Sequence, residues 1–288
     1  MSKFVVTGST GFIGRSLVTE LIGLGHEVVT PLRKSSATSA HTSSQVVDVA
    51  DFDGMVEHFT GSSGVFHLAT MFRGNHLPAE IQPMVESNVT LLALVCEAAC
   101  RAGVPAFVYT ESASQHVEGL DYSPSSLYAA TKQAGTDIVR YYARRNLRTC
   151  CLTLFDTLGP GDTRGKLLSL LERTAAEGGS LQMSPGGQLV DYLFVTDVVA
   201  GLIVAMNKTL SVNEENPFFA RLSSMAPVPL RQFVEMVGSA IGSPINVDWG
   251  AREYREGEMF EAWNWPPVLD GWAPQVSLEA GIRLALDK

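Results

Sequence analysis

Tyr128 and Lys132 stand four residues apart in Leu127-Tyr128-Ala129-Ala130-Thr131-Lys132-Gln133, inside a run with helical patterning, so the phenol and the ammonium share one helix face. A tyrosine with its ordinary pKa of ~10 is a poor acid near neutrality, whereas a neighbouring ammonium favours the phenolate and brings the proton within range of transfer. Such pairs also arise on solvent-facing helices, so the spacing alone does not make a site. A second chemical feature is Thr7-Gly8-Ser9-Thr10-Gly11-Phe12-Ile13-Gly14, which follows an apolar strand and opens an amphipathic helix, the context a dinucleotide fingerprint requires. Gly8 makes the tight turn, Gly11 lets backbone N–H groups approach a pyrophosphate, and Gly14 allows close helix-to-strand packing. The helix N-terminus supplies partial positive charge. Thr7, Thr10, Phe12 and Ile13 complete the expected cofactor turn, and a purely structural turn is the competing reading.

The choice of dinucleotide is made near the end of the second strand, where a carboxylate suits the ribose hydroxyls of NAD and an arginine the extra phosphate of NADP. The strand ends Val28-Val29-Thr30-Pro31-Leu32-Arg33-Lys34, with two cations and no carboxylate. Arg33 forms a planar fork for a 2′-phosphate with Lys34 as a second charge, so NADP(H) is the expected cofactor and NAD(H) the alternative. A solvated pair on a loop is the bland reading of the same two residues. Asp48 and Val49, at the end of the next short strand, are expected beside the adenine; a capping role competes for Asp48.

The elements that must hold these residues alternate. Apolar β-branched runs at Phe4 to Thr7, Glu27 to Thr30, Val65 to Leu68, Ala106 to Thr110 and Thr149 to Phe155 are separated by helical patterns at Ile13 to Leu24, Val85 to Arg101 and Leu127 to Arg145. Parallel strands with crossover helices follow, that is, an α/β fold with a doubly wound parallel Rossmann sheet. Gly103 and Pro105 stop the helix before the fifth strand. Beyond Gly159-Pro160-Gly161 the alternation breaks up: Lys166 to Glu177 and Arg231 to Ile241 look helical between stretches rich in Gly, Pro and Trp. The expected organisation is a cofactor domain over 1–164, rejoined by 187–209, and a smaller C-terminal α/β substrate lobe from 165–186 and 210–288. Gly186 to Met206 reads as a strand and then a helix starting near Thr196-Asp197, and Ser35 to Ser44 reads as a surface loop.

Composition supports a folded chain. Of 288 residues, 45% are hydrophobic and 18% charged, which excludes disorder as the main state. Acidic residues outnumber basic ones by 30 to 21, and a formal charge of -9 is the wrong sign for binding nucleic acid. Mean hydropathy is +0.12, yet the longest apolar stretch, Val198 to Met206, falls far short of the ~20 residues that span a bilayer. Met1 and Lys3 lead straight into a strand with no leader pattern, so a cytosolic protein is expected. Cys96, Cys100, Cys150 and Cys151 suggest neither a disulfide scaffold nor a metal site, and Cys96 and Cys100 are expected on the buried face of one helix. In that setting the sequons at Asn88 and Asn207 are accidental.

With both motifs intact, the sequence resembles the extended short-chain dehydrogenase/reductase family, whose nucleotide-sugar enzymes carry T-G-x-x-G-F-I-G near the N-terminus and Y-x-x-x-K about halfway along. The family's hydroxyl residue, which hydrogen-bonds the reacting oxygen, matches Ser112, with Ser114 and Thr110 as rivals. His67-Leu68-Ala69-Thr70 and Asn88 match segments beside the cofactor, so the resemblance implies cofactor contacts from Leu68, Ala69, Thr70, Asn88, Tyr128 and Lys132. Leu158-Gly159-Pro160-Gly161-Asp162 and Asp191 to Val198 extend the likeness over essentially the whole chain. Within the family the nearest likeness is to nucleotide-sugar 4-ketoreductases such as the CDP-abequose and CDP-paratose synthases, carried by Glu86 to Val89, Leu127 to Gln133, Arg255 to Phe260 and Gly271 to Pro274. It implies NADPH-dependent reduction of the 4-keto group of a nucleotide-linked deoxysugar. Tyr128 is then the proton donor, Lys132 lowers its pKa, and Ser112 holds the carbonyl oxygen, in a homodimer formed through two helices that include the one carrying Tyr128. The substrate contacts expected are Ser112, Ser114, Asp156, Lys166 and Arg255, with Arg252 in reserve. Val190 departs from the pattern, because it stands where an arginine can contact the substrate phosphates; Arg164 and Lys166 are placed to compensate. Trp263, Trp265 and Trp272 suit core packing or a subunit contact better than stacking on a ligand. An NAD(P)-dependent epimerase or dehydratase, a reductase of a small non-sugar carbonyl, and a nucleotide-sensing scaffold are the alternative functions.

Overall fold

The computed structural model describes residues 1–33, 44–120, 123–212 and 216–287. Lys34 and most of the Ser35 to Ser44 stretch lie outside them. In chain order the first half contains β1 (Lys3–Thr7), α1 (Phe12–Gly23), β2 (Glu27–Leu32), β3 (Gln45–Asp48), α2 (Phe52–Phe59), β4 (Gly64–His67), α3 (Pro78–Val85), α4 (Leu91–Arg101), β5 (Ala106–Ser112), α5 (Leu127–Ala143) and β6 (Arg148–Leu154). The second half adds β7 (Asp156–Leu158), α6 (Leu167–Glu177), β8 (Leu181–Met183), β9 (Leu189–Val190), β10 (Tyr192–Phe194), α7 (Val195–Ser211), β11 (Phe218–Leu222), β12 (Val228–Pro229), α8 (Leu230–Ile241), β13 (Val247–Trp249) and α9 (Leu278–Leu286).

Seven strands form one parallel sheet in the order β11-β6-β5-β4-β1-β2-β3. The order reverses between β1 and β4, and the carboxyl ends of those two strands open the crevice where an open α/β sheet binds its ligand. Both faces of the sheet are covered, which is why its strands read as apolar runs rather than as alternating ones. On one face α1 and α7 bring Leu17, Val18, Leu21, Val198, Leu202 and Met206 onto Val6, Phe66, Val108 and Leu152. On the other, α2, α4 and α5 bury Met55, Leu92, Val95, Cys96 and Val139 against Val5, Val65, Phe107 and Cys151.

The fourth crossover is longer than the sequence suggests. Its helical run begins at Pro78 rather than Val85 and passes through a π-turn at Glu86–Thr90 before α4. By length and composition Pro78–Arg101 could cross a membrane, but Leu92, Val95, Cys96, Ala98 and Ala99 are wholly buried in the core. Cys96 is buried as expected and Cys100 half-buried, and all four cysteines are free thiols.

The second half builds its own small core. Three two-stranded pieces (β10-β7, β12-β9 and β13-β8) surround α6, α8 and α9, with Leu171, Tyr192, Phe194, Phe233, Val237 and Ile282 at the centre. Tyr192 and Phe233 stack with centroids 4.5 Å apart. From the 187–209 stretch, α7 packs on the sheet through Val198, Leu202 and Met206. From the 210–288 stretch, β11 also joins the sheet, which the sequence reading did not anticipate, pairing with β6 from Phe218↔Cys150 to Leu222↔Leu154. Five residues of strand amid Gly, Pro and Trp are too few to change the composition of that stretch.

Candidate active site

The glycine-rich turn is shaped by backbone contact. Gly8 has a φ of 68°, and a Cβ there would lie 2.7 Å from the Ala69 nitrogen. A Cβ on Gly14 would lie 2.1 Å from the Gly8 carbonyl oxygen, so the start of α1 is pressed onto the end of β1. The Gly11 N–H donates to the Gly8 oxygen at 2.9 Å. Gly11 is also the N-cap of α1 and offers no capping side chain, which leaves the first-turn N–H groups for a ligand. Ser9 beside them is buried and its hydroxyl has no partner among the described residues. A cradle closed to side chains, with orphaned donors at a helix start, fits a dinucleotide pyrophosphate.

Arg33 follows β2 and is exposed. Asp48 ends β3 and accepts from the Ala50 N–H at 3.0 Å in a local turn. Val49 is half-buried next to it. At the end of β4 the buried Thr7 hydroxyl lies 3.1 Å from His67 Nδ1 and accepts from the Ala69 N–H at 3.2 Å. Burial takes the His67 pKa from 6.5 down to about 3, helped by the Lys132 charge, so the ring is neutral.

Asn88 sits in the π-turn, 2% exposed. Its Oδ1 accepts from the Met71 N–H at 2.6 Å and from the Thr70 hydroxyl at 3.2 Å. Its Nδ2 donates to the Met71 carbonyl at 3.1 Å and to the Thr131 hydroxyl at 2.9 Å. The extra backbone turn thus directs a fully satisfied amide that ties the segment after β4 to the helix carrying Tyr128 and Lys132. Sequence reasoning found Asn88 but not Thr131, whose hydroxyl also donates to the Tyr128 carbonyl at 2.7 Å.

Ser112, the last residue of β5, caps the short turn Ala113–Gln115, and its hydroxyl lies 2.8 Å from that of Ser114. Thr110 is turned into the sheet, its hydroxyl donating to the His67 carbonyl at 3.1 Å. Of the three rival hydroxyls, Ser112 and Ser114 therefore lie side by side, both half-buried. Ser126 caps α5, and one turn in, burial raises the Tyr128 phenol while hydrogen bonds with Thr70 and Ser112 pull it partway back. Tyr128 thus keeps its proton near neutrality and presents it between two hydroxyls. Lys132 is 2% exposed, its Nζ 4.2 Å from the Tyr109 ring centroid. Burial lowers its pKa from 10.5 to about 7, with the Glu111 charge the largest opposing influence. The charged neighbours that act on the phenol here are Asp156, which raises its pKa, and Arg164, which lowers it.

On the substrate side Lys166 bridges to Asp156 at 3.3 Å and sets its ammonium 4.3 Å from the Phe72 ring centroid. The same Phe72 ring meets Tyr128 edge-on at 4.9 Å. Phe72 is 45% exposed although it lies against the Tyr128 ring, and the sequence offered no sign of it beyond an aromatic soon after β4. Arg164 does not reach out to a ligand: it is held by Asp162 at 2.7 Å and by the Thr157 carbonyl at 2.8 Å, over the Phe12 ring. Val190 is half-buried in β9 and packs on the lobe's apolar core. Arg255 is exposed, and so is Arg252. The sequence reading gave no role to Glu258, three residues on. Burial raises its carboxyl, opposed by the Arg255 charge and a hydrogen bond with Gln188, and Asp156 is close enough to raise it further. Trp272 is buried, its indole donating to the Asp197 carbonyl at 2.9 Å, whereas Trp265 is 48% exposed.

The chain is similar to known proteins over most of its length. Residues 4–217 match the NAD dependent epimerase/dehydratase family. The chain is 24% identical over 295 residues to the CDP-abequose synthase of Salmonella typhimurium, covering 99% of this chain and 97% of that one. It is 26% identical over 317 residues to the UDP-glucose 4-epimerase of Mycolicibacterium smegmatis, with the same coverage of 99% and 97%. Among solved structures, MoeE5 in complex with UDP-glucose and NAD aligns with a TM-score of 0.81 at 26% identity, over 98% of this chain and 97% of that one. The UDP-glucose 4-epimerase of Thermotoga maritima aligns with a TM-score of 0.83 at 21% identity, again over 98% and 97%, a likeness of fold. The chain belongs to the NAD dependent epimerase/dehydratase family and is an NAD(P)-dependent oxidoreductase.

Proposed function

We propose that this member of the family is an NADPH-dependent reductase of the 4-keto group of a nucleotide-linked deoxysugar. The observation that carries the reading is the buried phenol of Tyr128, still protonated and close enough to the Ser112 and Thr70 hydroxyls to feel them, on the same helix face as Lys132 and beside a cradle suited to a dinucleotide. Bound in that cradle, the nicotinamide supplies the two-electron chemistry. Ser112, with Ser114 behind it, holds the keto oxygen, and Tyr128 passes its proton to that oxygen as negative charge gathers there. Lys132 lies on the same face of α5, where its ammonium binds the nicotinamide ribose and stabilises the phenolate left behind. Asn88 and Thr131 keep α5 fixed relative to the segment after β4. Arg255 serves the diphosphate, and Lys166 makes up for the arginine that Val190 replaces, with Asp156 and Glu258 beside them.

The similarity to the CDP-abequose synthases supports the sugar and the direction of reaction, and Arg33 supports NADP(H) over NAD(H). Thr7, Gly8, Thr10, Gly11, Phe12, Ile13, Gly14, Asp48, Val49, Leu68, Ala69 and Thr70 are the further cofactor contacts of this reading. Four free thiols suit a cytosolic setting. Exposed Ile81 and Val85 on α3, Leu94 on α4 and Tyr141 on α5 offer the apolar surface for a homodimer through these helices. A second reading, an epimerase that keeps its cofactor bound, is favoured by the comparable similarity to a UDP-glucose 4-epimerase.

Fluorescence titration with NADPH and NADH, repeated on Arg33→Ala, tests the proposal. The expected result is tighter binding of NADPH and about a 10-fold loss of that preference in the variant, together with stoichiometric oxidation of NADPH by nucleoside diphosphate 4-ketodeoxysugars. Copurifying NAD and turnover without net cofactor consumption would transfer the assignment to the epimerase.

A further inference from the structure

Glu111 is next to last in β5, immediately before Ser112, and only 4% exposed. A carboxylate so far from water requires compensation. Both of its oxygens are occupied: the Thr136 hydroxyl donates to Oε1 at 2.5 Å, and the Thr153 hydroxyl donates to Oε2 at 3.0 Å. Thr136 lies one turn beyond Lys132 on α5, and its oxygen is 3.3 Å from the Lys132 carbonyl. A hydroxyl has one proton to give, and the shorter contact to the carboxylate takes it. The Lys132 carbonyl is served instead by the Tyr109 hydroxyl at 2.9 Å, while the Tyr109 ring carries the Lys132 ammonium.

Strand β5 thus grips both ends of Lys132, and Glu111 is the anion on the same strand face. The other titratable groups around Lys132 are Tyr109 from β5, Cys151 from β6, His67 from β4 and Tyr128 on its own helix. Burial keeps all of them neutral: the Tyr109 and Cys151 groups are pushed well up, Tyr128 is raised, and His67 is pushed down. Glu111 is the one counter-charge in this described set.

We propose that Glu111 is a positioning residue: held by Thr136 and Thr153 on the strand face that carries Tyr109, it is the counter-charge that steadies the buried ammonium of Lys132 on the Tyr109 ring without occupying its N–H groups, which stay free for the cofactor side. The inference rests on the reading of Lys132 as the cation of the catalytic pair, but not on the identity of the sugar. It differs from an ordinary buried ion pair in that the anion acts at a distance and is itself satisfied by neutral hydroxyls.

The test uses the full-length protein without cofactor or substrate, so that failure of the reductase assignment cannot be mistaken for failure of this one. Lysine side chains labelled with 13C and 15N are followed by NMR against pH, and the signal absent from Lys132→Met is assigned to Lys132. In Glu111→Gln its titration midpoint is expected to fall by at least about one pH unit, a 10-fold change in proton affinity, and Glu111→Asp should restore most of it. A folded Glu111→Gln protein with an unmoved midpoint overturns the proposal. A second neutral variant, Glu111→Met, read by the same Lys132 signal, covers a Glu111→Gln chain that fails to fold: an unmoved Lys132 midpoint there overturns the proposal equally.

Discussion

The two sides of the cleft, as the proposed function assigns them, are shaped by different means. On the cofactor side the shape is set by main chain: Gly14 touches Gly8, Gly8 touches Ala69, and the donors are N–H groups at the start of α1. On the substrate side it is set by side chains from separated segments, with Lys166 held between Asp156 and Phe72, and Glu258 between Gln188 and Arg255. Main-chain recognition tolerates almost no substitution. A side-chain site can exchange one cation for another, and in the proposed function Val190 together with Lys166 is such an exchange.

The sharpest way to break this contrast is Gly14→Ala. Its Cβ would lie 2.1 Å from the Gly8 oxygen, and relief of ~1–3 kcal/mol of overpacking must come from backbone. A roughly 100-fold loss of dinucleotide affinity is expected, read by the same fluorescence titration. An affinity within a factor of three of the native protein would remove the basis for calling the turn rigid.

Acid should act next, and on the cofactor side. The folded His67 pKa is depressed to about 3 from 6.5, so its contribution to stability is present above pH 6.5 and is lost as pH falls toward 3. Between pH 6.5 and 5 the loss amounts to ~2 kcal/mol. Urea unfolding at the two pH values measures it, and His67→Gln, which does not titrate, should show a correspondingly smaller loss.

The smallest effects belong to the substrate side. Lys166→Ala and Arg255→Ala each remove one partly exposed cation, so KM for the sugar nucleotide should rise about 10-fold with kcat and cofactor affinity little changed. If kcat falls instead and KM holds, these cations act on the catalytic step and the division between the two sides fails.

That division also explains what could be read in the sequence. Gly8, Gly11 and Gly14 are legible because a steric demand on the main chain leaves one residue type. The helical spacing of Tyr128 and Lys132 is legible because it is local, and resemblance to a family added Ser112 and Asn88. Phe72, Thr131, Glu111 and Glu258 were not legible as parts of the site, since their meaning comes from neighbours distant in the chain: Phe72 matters because Lys166 comes to rest on it, and Glu111 because Lys132 on α5 lies across the same face of β5. The fold shows the same limit. The first six strands of the alternation were visible or flagged, whereas β11 needed its partner β6 to be recognised as part of the sheet.

The late arrival of β11 and α7 sets an order of events during synthesis. When the ribosome has delivered residues 1–164, the strand β6 is an open edge, and the sheet face carrying Val108 and Leu152 lacks the helix that brings Val198, Leu202 and Met206. The chain must then lay down α6 and β8–β10 before α7 can cover that face and β11 can close that edge. An exposed edge beside an uncovered apolar face is the combination that invites pairing with another nascent chain. The seven-stranded sheet is therefore finished by residues that come after the small second core has begun, and a fragment ending near residue 164 is a half-covered sheet rather than a finished domain.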